Sequence, residues 1–152
     1  MKYWLMKSEP DVYSITDLQH DRASLWDGVR NYQARNFLRA MKIGDYAFFY
    51  HSNTKIPGIV GLMKIIETDI ADPTQFDQNS EYYDAKSSRE SPRWHTVKVE
   101  FIEEFTRLIS LNELKENFGD DELLVVKKGN RLSVIPIDVE VAQRILAMKE
   151  KG

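Results

Sequence analysis

Residues 46–50 read YAFFY and residues 58–66 read GIVGLMKII. These two runs decide the fold class. The first is aromatic-rich, a composition that suits the pleated, half-buried surface of a strand. The second is a longer apolar strand, interrupted by Gly61 where a bulge or a close backbone approach fits. Working outward, KYWLMK (2–7) is a short apolar run that reads as a buried strand. TVKVEFI (96–102) alternates Val97, Val99 and Phe101 with Lys98 and Glu100, as a strand with one wet face does. RLSVIPI (131–137) is a strand that should end at Pro136. Helical signals are short and lie between and after the strands. SITD (14–17) and SLNE (110–113) have capping-box spacing, and Gly119 stops the second of these helices. Asn31 can cap a helix in which Ala34, Phe37, Leu38 and Met41 share one face, broken by Gly44 and Asp45. Asp138 should cap a last helix with Val141, Ala142, Ile145 and Leu146 inward. Strands dominating the middle, with short helices around them, predict an α+β fold with a curved sheet or small barrel, not a doubly wound βαβ fold.

The chain has 152 residues, of which 42% are hydrophobic and 30% charged. That suits one domain spanning 1–152 with a single core, and no repeat or linker interrupts it. There is no cysteine, which excludes disulfides, thiolate zinc sites and a cysteine nucleophile, and fits a reducing, cytoplasmic setting. No apolar run approaches the roughly 18 residues of a membrane span. The apolar stretch 3–6 is too short for a signal peptide. The net charge is −3, whereas proteins that grip nucleic acid mainly through phosphates are usually basic. Any nucleic-acid partner must therefore be held by a local patch and a specific pocket.

Charge is unevenly placed. Residues 28–43 carry Arg30, Arg35, Arg39 and Lys42 and no acid. Residues 67–85 carry Glu67, Asp69, Asp72, Asp77, Glu81 and Asp84 and no base. The acidic run includes DPTQFDQNSEYYD (72–84), which reads as a long solvated loop.

Catalytic signatures are missing. His20, His51 and His95 show no metal-ligand spacing, and His20 should face solvent. There is no HExxH, GxSxG, P-loop or GxGxxG motif. Ser8 and Ser52 are hydroxyls near an acid or a histidine, but sequence neighbours do not make a triad. No catalytic residue, metal or cofactor is expected. What the sequence does offer is polar clusters at element ends: KSEP (7–10), WDGVRNY (26–32), YHSN (50–53) and RLS (131–133). Loops at strand ends commonly build ligand sites, with apolar walls and a few oriented polar groups. Asn31, Asp45 and Asp138 serve caps and turns on the simplest reading. Trp26 and Trp94 suit either core packing or a pocket wall. Asn31, Arg35 and Arg39 lie at i, i+4, i+8 and share a helix face, either solvated or meeting phosphates. Aromatic walls, amides and nearby arginines suit a nucleobase lifted from its strand.

Eight ordered motifs sharpen this reading: YWLMKSEP (3–10), WDGVRNYQARNFLR (26–39), GDYAFFYHSN (44–53), PGIVGLMKI (57–65), DPTQFD (72–77), PRWHTVKVEF (92–101), ISLNELK (109–115) and KKGNRLSVIPI (127–137). Together they resemble the EVE domain family from about Lys2 to Ile145. The resemblance implies a PUA-like fold, a small, mostly β barrel with short peripheral helices. The related PUA, ASCH and YTH domains are largely nucleic-acid modules, and EVE domains are thought to read modified bases, notably modified cytosines in DNA. By motif match, the resemblance implies a pocket built from Lys7, Ser8, Glu9, Trp26, Val29, Arg30, Asn31, Tyr32, Tyr50, His51, Ser52 and Asn53. Trp94, Arg131 and Ser133 would lie near its mouth. Arg35 and Arg39 would meet phosphates, with Lys86, Arg89 and Arg93 as the alternative path. The expected partner is modified DNA or RNA, bound by a monomer away from any membrane and without turnover. Two other readings remain open: an enzyme on a modified base or nucleoside, using Lys7 and Glu9 as an acid–base pair as in ASCH-like relatives, and an adaptor that presents the acidic run to a protein.

Overall fold

The computed structural model describes residues 1–150. Six strands, β1 (Tyr3–Ser8), β2 (Ala23–Leu25), β3 (Tyr46–His51), β4 (Gly58–Ala71), β5 (His95–Ser110) and β6 (Val134–Ile137), form one mixed sheet in the order β2-β5-β4-β3-β1-β6. β1 runs parallel to β3, and the other pairings are antiparallel. Four helices complete the fold: α1 (Ile15–Asp21), α2 (Tyr32–Ala40), α3 (Leu111–Asn117) and α4 (Val139–Met148). None of them is long and apolar enough to cross a membrane.

The α+β expectation holds, but the sheet is not closed into a barrel. Its outer members are the three-residue β2 and the four-residue β6, each paired on one side only. Curvature enters instead through register breaks, one between β3 and β4 at Phe49/Tyr50 and four between β4 and β5. Such bulges bend the strand that carries them. One break lies between Ile59 and Gly61, where a Cβ on Gly61 would meet the Glu103 carbonyl at 2.5 Å and Ile15 Cδ1 at 2.7 Å. Gly61→Ala should therefore cost about 1–3 kcal/mol, the usual penalty for overpacking, read as a fall in the urea midpoint at unchanged slope.

β4 and β5 extend beyond the apolar runs that announce them, to Ala71 and Ser110. Their outer halves are half-wet, with residues such as Glu67, Asp69 and Glu100 turned to solvent. Pro136 does not end β6. It pairs opposite Trp4 on an edge strand, where a missing N–H is tolerated.

Side chains alternate across a strand, so the sheet separates two cores. Leu5, Phe48, Tyr50, Ile59 and Ile135 pack with Leu114 of α3 and Val141, Ala142 and Ile145 of α4. Trp4, Met6, Phe49, Met63 and Ile65 pack on the other face with Ile15 and Leu18 of α1 and Ala34 and Leu38 of α2. The caps follow the sequence signals. Ser14 and Asp17 form a reciprocal box, the Asn31 side chain accepts from Ala34 N, and Ser110 accepts from Glu113 N. Asp138 is the exception: it occupies the cap position of α4 but makes no side-chain capping bond. In the same helix Leu146 is only half-buried and Met148 joins the core in its place.

Candidate functional site

A cleft of about 760 Å³ opens where β1 and β3 end, between the turn that follows each and the segment leading from β2 to α2. It is lined by Lys7, Ser8, Glu9, Trp26, Val29, Arg30, Ser52, Asn53, Arg131 and Ser133, all singled out in the sequence. It is also lined by Val12, Tyr13, Ser24, Leu25, Asp27, Gly28 and Tyr82, which were not. Asp27 and Gly28 sit inside the WDGVRNY motif. Tyr82 lies in the acidic run, and only charge complementarity to Arg30 hinted that this run folds back.

The cleft walls are held by hydrogen bonds among their own residues. Ser8 Oγ donates to Tyr13 O at 2.6 Å and Ser52 N donates to Ser8 O at 3.0 Å. Asn53, at φ 50, donates through Nδ2 to Glu9 Oε1 at 2.6 Å. Glu9 is thus engaged by Asn53, and no Lys7–Glu9 ion pair forms, so the acid–base dyad of the enzyme reading is not assembled. The Lys7 ammonium lies 5.8 Å from the Tyr50 ring centroid and has no hydrogen bond or ion pair among the described residues. Burial lowers its pKa from the ordinary lysine value, because a partly desolvated ammonium is disfavoured.

Trp26 is 7% exposed. It packs edge-on against Phe49 with ring centroids 5.3 Å apart, so core and cleft wall are one residue. Behind it the acidic segment is not a free loop. Asp72 is 1% and Gln75 0% exposed. Asp72 accepts from Gly28 N, Arg30 Nη1, Thr74 N and the Thr74 hydroxyl. Gln75 donates to the carbonyls of Asp72 and Trp94 and accepts from Trp94 N and the Ser87 hydroxyl. Arg30 completes the dock with bonds to Tyr82 O, Val29 O and Thr74 Oγ1. The run read as solvated is solvated only at its tips, such as Asp77 and Glu81. Of the buried polar groups beneath, Asp72 finds partners in Gly28 and Arg30 of WDGVR, and Gln75 finds its own in Asp72, Ser87 and Trp94.

Several of the expected pocket residues lie elsewhere. Asn31 is the exposed cap of α2. Tyr50 is buried beneath the α3–α4 face, and burial pushes its phenol up to about 12. His51 accepts from Ile15 N through Nε2 at 3.1 Å, and burial lowers its pKa, so the ring is a neutral strut for α1. Trp94 is buried, donates through Nε1 to Asp84 Oδ2 at 2.8 Å and stacks on Tyr32 at 4.9 Å. The exposed Tyr32 ring in turn lies 4.9 Å from the Arg35 guanidinium.

The arginine stripe divides. Arg35 is half-buried rather than exposed, because it donates to Arg93 O and Asn36 Oδ1. Arg39 is exposed and has no hydrogen bond or ion pair among the described residues. Arg89 stacks on Phe76 at 4.6 Å, and Arg93 lies 4.0 Å from Asp84. Among the described residues no group of three or more His, Asp or Glu side chains is placed to hold a metal.

A helix-covered mixed sheet with a polar, tryptophan-walled cleft at its strand ends is an architecture of the PUA-like kind. The chain belongs to the EVE domain family, whose model matches residues 2–148. Human thymocyte nuclear protein 1 is 45% identical over 98% of this chain and 74% of its own length. A Pseudomonas syringae protein of solved structure is 49% identical, with a TM-score of 0.93 over 97% of this chain and 99% of that one. The human THYN1 protein, solved in complex with 5-methylcytosine containing DNA, is 44% identical, with a TM-score of 0.93 over 100% of this chain and 99% of that one.

Proposed function

We propose that this chain is a non-enzymatic reader of a modified base, a modified cytosine in DNA, held in the cleft at the end of β1. One observation carries the reading: a protein 44% identical across the whole chain, with the same fold, was solved with 5-methylcytosine containing DNA. The cleft suits such a ligand. Its volume of about 760 Å³ lies in the range of small-molecule sites, roughly 300–1,000 Å³. Trp26 and Val29 supply an apolar wall, and Lys7 and Asp27 supply polar groups that have no side-chain hydrogen bond or ion pair among the described residues. A base must leave the duplex stack to enter, at a cost of a few kcal/mol that the pocket contacts offset. With a net charge of −3, few phosphates can be neutralised, so discrimination rests on the pocket. The test is a titration of duplexes with and without 5-methylcytosine at one stated salt concentration, with the base products followed in parallel. Preference for the methylated duplex without release or conversion of the base is expected. Equal affinity for both, or turnover, sinks the reading.

The divided stripe yields a second expectation. Arg39→Ala should weaken binding to methylated and unmodified strands alike and reduce the salt slope by about 0.9 for duplex DNA, one counterion fewer. Arg35→Ala should leave the slope unchanged and lower stability by about 1 kcal/mol, the net worth of a hydrogen bond. A salt titration of both variants separates the two roles, and equal slopes for wild type and Arg39→Ala would move the phosphate path to Arg131 at the mouth.

A further inference from the structure

We propose that Asp27 sets the class of base the cleft accepts, favouring a base with an exocyclic amine, as in cytosine, over an isosteric base with a carbonyl at that position. This rests on the reading of the cleft as a base pocket and adds to it the group that reads the base edge.

Two carboxylates stand beside Trp26, and they differ. Asp72 is buried and accepts from two backbone amides, a hydroxyl and the Arg30 guanidinium. Asp27 lines the cleft, and its carboxylate has no side-chain partner among the described residues. The nearby Arg30 does not serve it, because that guanidinium is directed to Tyr82 O, Val29 O, Asp72 and Thr74. The other acid of the cleft, Glu9, is held by Asn53. Of the two acids lining the cleft, Asp27 is therefore the one without a side-chain donor, and Lys7 and Arg131 are cations there without a hydrogen bond or ion pair among the described residues. Desolvation, with repulsion from Asp72, raises the Asp27 pKa above the ordinary carboxylate value despite the opposing Arg30 charge. Its own backbone amide is the one hydrogen-bond donor that opposes this, so the carboxylate keeps acceptor capacity for a ligand.

A ligand group that meets Asp27 must offer an N–H donor, and one that meets Lys7 must offer an acceptor. An ionised carboxylate only accepts, and an ammonium only donates. The cytosine edge presents the N4 amine as donor, with N3 and O2 as acceptors. Thymine presents O4 and a protonated N3 instead. Thymine in place of cytosine would set its O4 lone pairs against the Asp27 carboxylate. 5-Methylcytosine and thymine have nearly the same outline, so shape alone does not separate them. The donor pattern does: Asp27 is an exposed residue of the cleft, and its carboxylate can accept from an amine but only repels a carbonyl oxygen. A phosphate is a poor occupant for the same position, since the carboxylate repels it.

The test uses the full chain and four duplexes that carry cytosine, 5-methylcytosine, uracil or thymine opposite an abasic site, so that unpairing costs are equal. The methyl axis examines the modified-base reading, and the amine axis examines Asp27. Wild type should bind the two amine-bearing bases about tenfold or more tightly than their carbonyl counterparts. Asp27→Asn offers an amide that can donate to O4 and accept from N3–H, so it should remove this preference and strengthen thymine and uracil binding. Asp27→Ala should weaken cytosine and 5-methylcytosine without strengthening the others. Both variants should melt at or slightly above wild type, because a carboxylate whose pKa is raised in the fold costs stability when ionised. If wild type ignores the amine, or Asp27→Asn keeps the full preference, the assignment to Asp27 is overturned while a methyl preference still stands. If wild type binds none of the four, the base-pocket reading fails and Asp27 loses its role with it.

Discussion

Arg30→Ala is expected to lower the unfolding free energy by about 3 kcal/mol, the range found when one partner of a buried ion pair is removed. For a chain of this size that is on the order of 10 °C in melting temperature. The reason lies in what the guanidinium spans. It donates to Tyr82 O at 2.7 Å and 3.0 Å, to Thr74 Oγ1 at 3.0 Å, to Val29 O at 2.9 Å and to Asp72 Oδ2 at 3.2 Å. The Asp72 side chain is 2% exposed and that of Arg30 22%. Removal leaves a buried carboxylate with hydrogen bonds but no counter-charge, and two carbonyls without donors. Arg30→Lys keeps the charge but not the planar fork, and should fall between wild type and alanine. Urea denaturation reads the loss directly, and the variant should also lose ligand affinity as Tyr82 leaves the cleft wall. A loss under about 1 kcal/mol would mean that Gln75 and its partners dock the segment without help.

Trp26→Ala should cost about 3–5 kcal/mol of stability, as expected for a large ring removed from a packed core. The residue is 7% exposed and meets Phe49 at 5.3 Å with an interplanar angle of 82°. Its backbone is fixed on both sides, by Trp26 N to Val97 O at 3.0 Å and by the Thr96 hydroxyl to Trp26 O. Because the ring also lines the cleft, affinity should fall with stability, and a gentler variant is needed to separate the two. Trp26→Phe should keep stability within about 1.5 kcal/mol and still weaken binding by about 1–3 kcal/mol, the worth of a base–aromatic contact. Melting and affinity measured on one preparation decide the matter. Unchanged affinity in Trp26→Phe would confine Trp26 to the core.

Local rules made much of this fold legible. Ser14, Asn31 and Ser110 cap because a short polar side chain before a periodic apolar run satisfies free amides. Ala34, Leu38 and Met41 are buried because helical spacing puts them on one face. Gly61 marks a close approach because no side chain fits there. The site was legible as four motifs but not as a set of contacts. Asp72 and Gln75 lie in a run whose composition says solvent, and their burial depends on Arg30, Gly28 and Trp94, which the local pattern does not link to them. Tyr50 and His51 carry the polar tips a pocket needs, but register turns Tyr50 to the α3–α4 core and gives His51 to the Ile15 amide. Arg35 looks free on a helical wheel, yet the Arg93 carbonyl arrives from a distant segment to hold it. Asp27 lies inside WDGVRNY, but only the structure shows which of the neighbouring acids has no side-chain donor.

The placement of β1 has a consequence for how the chain assembles as it is made. β1 lies between β3 and β6, pairing Tyr3 with Tyr46 on one side and with Ile137 on the other. Within this sheet, the strand made earliest therefore waits for the one made latest before both its edges are covered. Contacts that join residues so far apart in sequence slow folding, and an open strand edge recruits other chains while it waits. Emerging nascent chains should stay sensitive to protease and prone to association until residues 134–137 are free to dock. Pro136, which lacks the donor that a further strand would need, then blunts the finished edge.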